Sequence, residues 1–343
     1  MVELDVVESL LGVPPGFPPW RIADAANRAR ILPTWLSSLV ARGTPLTPAA
    51  AEYLDRVRVR VDTLHSVGRE LRAAHGVRVI KGEQIAARYP DGLLRNSGDT
   101  DIVAPDQGAV WRCVLDLRAR YGAVAQSISL LRTDEATHIV VAMKWPAPEP
   151  FLDKPMGADV ATCAFCGDLD GTVPIRAVPP PDDDLCSLFA VAEERFQRRF
   201  SRKDMLDLAV LAEVLTERFG AELSEVVLDA SGRLCLAPEL RRLIRKTTGW
   251  IDLPAGWLDL ADRLGPIAEQ EKAARKSGDR KPAQMLYGFP LDTVPSPDPE
   301  LRLHRFAFGE IARTPIGNCL LLPEPELSEE LYEAAMAEAE RLG

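Results

Sequence analysis

Apolar residues recur at helical spacing over residues 22–41 and again over 48–75. Trp35, Leu36 and Leu39 mark one face of the first stretch. Tyr53, Leu54, Val57, Val61, Leu64, Val67 and Leu71 form the stripe of the second, which predicts a helix with one face in a core. Pro33 divides the first stretch into two helices, because proline removes a helical hydrogen bond and clashes with the preceding turn. Thr47 before Pro48 predicts an N-cap with proline at the first helical position. Any helix over residues 2–11 stops at the prolines that follow, Pro14, Pro15, Pro18 and Pro19.

The period then shortens. Residues 77–81 read as an apolar strand ending in Lys81-Gly82, followed by a short helix over 83–89 and a turn containing Pro90 and Gly92. A second strand opens with Asp99-Thr100-Asp101. Residues 107–121 predict a helix. Residues 127–131 and 137–145 predict a hairpin around a turn at 133–136. Residues 173–184 are a proline-rich linker, and Asp184 is expected to cap a helix over 185–196. A further helix begins at Lys203, where Asp207 is expected to pair with Arg198, Arg199 or Arg202. Residues 236–243 and 258–264 look helical, 272–281 reads as a basic loop, and 301–308 and 316–322 read as strands. Residues 328–342 form a terminal helix capped by Ser328. There is no internal repeat.

The candidate chemistry sits between residues 77 and 106. Alternate residues of a strand share a face, so Asp99 and Asp101 point the same way, roughly 7 Å apart at their α-carbons. Two such carboxylates can converge on a hard cation such as Mg²⁺. Gly82 allows a phosphate to approach the backbone at a helix start, where free N–H groups favour anions. The bland alternative for the two aspartates is a turn and strand-edge pair that keeps an edge polar.

Strand, glycine turn, helix and Asp-x-Asp on the next strand resembles the polymerase-beta-type nucleotidyltransferase superfamily. The wording Ile80-Lys81-Gly82, Tyr89-Pro90 and Arg95-Asn96-Ser97-Gly98-Asp99-Thr100-Asp101-Ile102-Val103 is similar to one branch, an uncharacterised bacterial nucleotidyltransferase-like family. The resemblance covers about residues 20–215 and implies an α+β fold, with a small mixed nucleotidyltransferase-type sheet covered by helices and a largely helical C-terminal part. The expected organisation is an N-terminal helical segment over 1–75, a nucleotidyltransferase-like core over 76–173 and a helical or mixed domain over 182–343; the last third of the chain has no counterpart in the resemblance. The resemblance further implies Mg²⁺ held by Asp99 and Asp101 as metal-binding and catalytic residues; Lys81 and Gly82, with Arg95 or Lys144 adding charge, are the expected nucleotide-binding set. The partners would be an NTP and a small-molecule, peptide or RNA acceptor.

One departure from the family pattern stands out. The returning strand of the family carries a third carboxylate, and the matching position here is Ala142, with Lys144 following. His138, Val140, Ala142 and Lys144 share a face by parity, and none is acidic. Substitutes could come from Asp134, Glu135, Asp168 or Asp170. Whether the chain is an enzyme therefore stays open. It is either a nucleotidyltransferase or a degraded nucleotidyltransferase-fold binding protein serving a peptide- or natural-product-modifying pathway.

Composition narrows the setting. The 343 residues, 46% hydrophobic and 27% charged, are ordinary for a globular chain long enough for two domains. A net charge of −10 excludes a broad nucleic-acid footprint, although a local basic groove remains open. Six cysteines in a chain this long are no secreted disulfide framework. Cys163-x-x-Cys166 lacks the second pair that a structural zinc site needs, so it reads as two small residues of a loop or strand. His65 and His75 read as surface or capping histidines. With Asp5 and Glu8 interrupting the N-terminus and no long apolar run, the expectation is a cytoplasmic protein with no membrane contact.

Overall fold

The computed structural model describes residues 4–13, 16–168, 172–277, 283–291 and 300–342. Asp170, Arg280 and Lys281, to which the sequence assigned candidate roles, lie outside the described residues. The helices are α1 (Leu4–Ser9), α2 (Pro19–Arg28), α3 (Leu32–Ala41), α4 (Pro48–His75), α5 (Glu83–Ala86), α6 (Gln107–Tyr121), α7 (Asp183–Gln197), α8 (Arg202–Phe219), α9 (Leu223–Leu234), α10 (Ala237–Thr247), α11 (Trp257–Ser277) and α12 (Glu329–Leu342). The strands are β1 (Arg78–Val79), β2 (Thr100–Val103), β3 (Val124–Arg132), β4 (Thr137–Trp145), β5 (Met156–Ala161), β6 (Gln284–Pro290), β7 (Arg302–Phe306), β8 (Gly309–Thr314) and β9 (Gly317–Leu322). The chain is therefore α+β. No helix among the described residues is long and apolar enough to cross a membrane.

The chain divides into two compact units, each assembled from three separated segments. The helical unit takes the chain up to His65, then Ile80–Gly98, then Pro179 through α11. The sheet unit takes Ser66–Val79, Asp99–Val178 and the chain from β6 onward. The division thus runs through the expected segments, and the strands after residue 283 belong with the sheet.

In the helical unit the sequence patterns map onto packing. Pro33 occupies the first turn of α3, where its missing N–H costs nothing. Leu54, Val57, Val61 and Leu64 of α4 are buried, as their spacing requires. Thr47 Oγ1 accepts the Ala50 N–H at 3.3 Å. Asp182, two residues before the expected Asp184, caps α7 by accepting the Leu185 N–H at 2.8 Å. Asp184 instead sits buried inside the first turn. The basic stretch expected as a loop is helical as far as Ser277, because α11 continues through Pro266.

The nine strands among the described residues form one mixed sheet in the order β1-β2-β5-β4-β3-β6-β9-β8-β7, larger than the small sheet expected. The pair β2–β5 is parallel, and the other neighbouring pairs are antiparallel. Strands lie at each of the expected places, but β1 keeps only 78–79 of the expected 77–81 and β3 starts earlier, at Val124; β5 is inserted between β2 and β4. A row of apolar side chains pins the register: Ile102, Val160, Val141 and Ile128 are successive partners across β2, β5, β4 and β3, and all are buried. A slip of one residue would send this row to the opposite face and bring the polar row into the core. Helix α6 packs on β4 and β5, burying Val110, Trp111, Val114 and Leu117, and Asp106 caps it by accepting the Ala109 N–H at 2.7 Å.

Candidate functional site

The polar row alternates with that apolar one. Asp101 on β2 is the register partner of Asp159 on β5. Asp159 is in turn the partner of Ala142 on β4, and Ala142 is the partner of Ser127 on β3. Register partners on adjacent strands stand about 4.8 Å apart and project to the same face. Asp159 therefore occupies the place between Asp101 and the position where the family pattern called for an acid. Both aspartates are half-buried, and the oxygens Asp101 Oδ2 and Asp159 Oδ1 are shielded from solvent. Asp99 immediately precedes β2, two residues from Asp101, and is also half-buried.

Sequence reasoning missed Asp159. The segment Met156-Gly-Ala-Asp-Val-Ala161 is short and had no assigned element. Its apolar residues around a single acid were the available signal. The acids proposed instead sit elsewhere in the unit. Asp134 and Glu135 are exposed on the β3–β4 turn. Asp168 accepts the backbone N–H groups of Thr172 and Val173 at 3.2 and 3.3 Å.

Lys144 and Gly157 form the next pair along the same face. The Lys144 side chain lies across Gly157, so that a Cβ at 157 would fall 2.8 Å from its Cδ and 3.0 Å from its Cε. Gly157 lies two residues before Asp159 on β5. The Cys163 and Cys166 sulfurs lie 3.7 Å apart as free thiols.

The donor set can be compared with a hard cation's needs. Carboxylate oxygens suit Mg²⁺, which takes one or two carboxylates and fills its octahedron with phosphate and water. Asp101 and Asp159 meet that requirement as a neighbouring pair. Among the described residues no group of three or more His, Cys, Asp or Glu is gathered to hold a metal.

The remaining expected site residues belong to the helical unit, where four basic and phenolic groups of the segment are tied to α7 and α8. Lys81 Nζ donates to Glu194 at 2.6 Å. Burial alone would raise the Glu194 carboxyl, but the Lys81 charge and hydrogen bond, with Arg198 nearby, hold it below its ordinary value. Arg88 donates to both Asp184 oxygens at 3.0 Å. Arg95 donates through Nε and Nη2 to the two Asp207 oxygens, each at 2.8 Å, and Tyr89 donates to the same carboxylate at 2.7 Å. Asp207 thus pairs with Arg95 and Lys203, while Arg198 pairs with Asp204 and Glu194. Burial would raise the Asp207 carboxyl, yet Arg95 and Lys203 outweigh it and hold the group far below the carboxylate range. The Tyr89 phenol is pushed well up, first by burial and then by Asp207. Arg95, expected at the nucleotide, is 3% exposed and fully engaged in this network.

Gly82 has φ +93° and precedes α5, a conformation that favours glycine. Its carbonyl accepts the Ala86 N–H at 3.0 Å and an Arg95 Nη1–H at 3.5 Å. The helix that follows is a single turn ending at Ala86, shorter than the 83–89 expected.

No family model matches the chain, and no curated protein matches it. Among solved structures, JHP933 from Helicobacter pylori is similar at 15% identity and a TM-score of 0.31, over 64% of this chain and 92% of that one. A similarity of that size carries no inference about fold or activity.

Proposed function

We propose that the protein is a Mg²⁺-dependent nucleotidyltransferase, moving a nucleoside monophosphate from an NTP to a hydroxyl, phosphate or other acceptor. One observation carries this reading: Asp159, on the parallel neighbour of β2, is the register partner both of Asp101 and of Ala142, the position where the family pattern has an acid. The segment 80–103, with its likeness to a bacterial nucleotidyltransferase-like branch, adds the second support.

In this reading Asp101 and Asp159 would hold Mg²⁺, which supplies positive charge to the phosphoryl oxygens, and Asp99 would add negative charge at the start of β2. Lys144 would add a cation over the same face. The acceptor oxygen would form a bond to the α-phosphorus as the bond to the pyrophosphate leaving group breaks. The acceptor's proton would pass to a carboxylate of the set, for which Asp159 is the nominee. Transfer of this kind depends mainly on positioning and charge. Lys81 and Arg95 have a different task here, holding segment 80–98 against α7 and α8.

A second reading is a nucleotidyltransferase-fold binding protein that serves a peptide- or natural-product-modifying pathway. It is favoured by Ala142, which stands where the family pattern carries an acid. Incubation with each NTP, Mg²⁺ and candidate small-molecule, peptide and RNA acceptors separates the two. Pyrophosphate release that Asp159→Asn abolishes supports the enzyme. Mg²⁺-dependent NTP binding without release under any acceptor supports the binder.

A further inference from the structure

A second polar concentration lies wholly within the helical unit, where α7, α10 and α11 line an open pocket of about 740 Å³. Its wall carries seven basic side chains and one acid, Glu239, in a protein of net charge −10. The one acid is already committed, since Glu239 accepts from Arg275 at 2.8 Å through both oxygens. Arg275 also stands 5.5 Å over the Phe196 ring, which fixes the floor. Arg245 pairs outside the wall with Asp262, and Lys272 with Glu269.

Four cations are left: Arg195 from α7, and Arg241, Arg242 and Lys246 from α10. Among the described residues none of the four forms an ion pair. Arg241 and Lys246 are aimed by backbone carbonyls, those of Ala261 at 3.1 Å and Phe200 at 2.5 Å. Burial and the charges of Arg202, Arg242 and Arg199 hold the Lys246 ammonium below its ordinary value, against the pull of Asp204. Cations crowded to the point of repelling one another destabilise the fold unless an anion joins them. The four charges come from two helices, α7 and α10, and line one concavity.

We infer that this pocket binds a small phosphate-rich anion of the triphosphate class. Guanidinium groups match phosphate oxygens in a bidentate fork, and three of the four cations are arginines. The volume lies within the range of about 300–1,000 Å³ typical of small-molecule sites. An extended nucleic acid needs a basic track along the surface, which the acidic balance of this chain does not favour. The inference does not rest on the reading of Asp101 and Asp159.

Calorimetric titration of the full chain with inorganic tripolyphosphate and with ATP, in chelator and without divalent metal, tests it. The expected result is saturable binding of at least one of the two. That binding weakens about tenfold or more for each guanidinium removed in Arg195→Gln/Arg242→Gln, and it persists in Asp101→Asn. Both arginines hold no structural hydrogen bond among the described residues, and an unchanged melting temperature verifies that the double variant is folded. No binding by the wild type overturns the inference, as does equal affinity in the double variant or loss of binding in Asp101→Asn. Single-stranded RNA that binds more tightly than either probe, with a salt slope of many phosphate contacts, would replace it with a nucleic-acid surface.

Discussion

Lys144 lies across Gly157, its partner on the neighbouring strand, so closely that a Cβ at 157 would be 2.8 Å from the lysine Cδ. The atoms in the way belong to the far part of a flexible side chain. Gly157→Ala should therefore change stability by less than about 1 kcal/mol while pushing the ammonium off the sheet face. If Lys144 serves a phosphate, Gly157→Ala and Lys144→Gln should each weaken Mg-NTP binding by up to about tenfold, the worth of one charge-assisted hydrogen bond. Titration of both variants with NTP and Mg²⁺ measures this, and unchanged affinity in both removes Lys144 from the site.

The Arg95–Asp207 pair predicts a stability effect. Removing one member of a buried pair leaves the other charge uncompensated, at a cost of about 3–5 kcal/mol. Asp207→Asn should lower the urea midpoint accordingly at about pH 7. A loss within about 0.5 kcal/mol, the usual surface value, would show that the pair is dispensable.

The same group sets a pH dependence. Asp207 keeps its charge to lower pH in the folded chain than in the unfolded one, whose carboxylates titrate near about 3.9. Unfolding in that interval takes up a proton. The contribution is thus complete above the unfolded value and is lost as pH falls toward the folded one. Glu194, also held low, acts with the same sign. Wild-type urea midpoints should fall below about pH 4, and the slope in Asp207→Asn should be shallower. Equal slopes would assign the acid sensitivity to other groups.

Much of the helical architecture was legible in the sequence because it depends on local periodicity. The 107–121 helix matches α6 at both ends, and the stripe from Leu54 to Leu71 is buried. Leu64 is fully buried, so Leu64→Ala should cost roughly 2–5 kcal/mol. A thermal or urea melt reads the loss, and one within about 0.5 kcal/mol would place the stripe in solvent.

What the sequence hid was pairing at a distance. Strand β5 enters the sheet as a parallel partner of β2, and nothing near residue 156 announces which strand it will join. Asp159 thereby escaped notice, although it is the lateral neighbour of Asp101. Lys81 and Arg95 misled in the opposite way. Cations flanking a glycine turn resemble phosphate ligands, while their counter-charges, Glu194 and Asp207, lie more than a hundred residues further along the chain. Spacing within a motif does not disclose a salt bridge of that span.

The neighbouring carboxylates of Asp101 and Asp159 are the centre of the account, and calorimetric titration with NTP, with and without Mg²⁺, tests them most directly. The wild type should bind nucleotide with a component that requires Mg²⁺, because two carboxylates need the oxygens of a triphosphate to complete the ion's octahedron. Asp101→Asn and Asp159→Asn should each remove that component while leaving the melting temperature of the metal-free protein nearly unchanged. Asp99→Asn with Asp101→Asn should do the same. Mg²⁺-dependent binding that survives in Asp159→Asn, at the affinity of the wild type, would contradict the assignment of Asp159 and return the row to a polar sheet face.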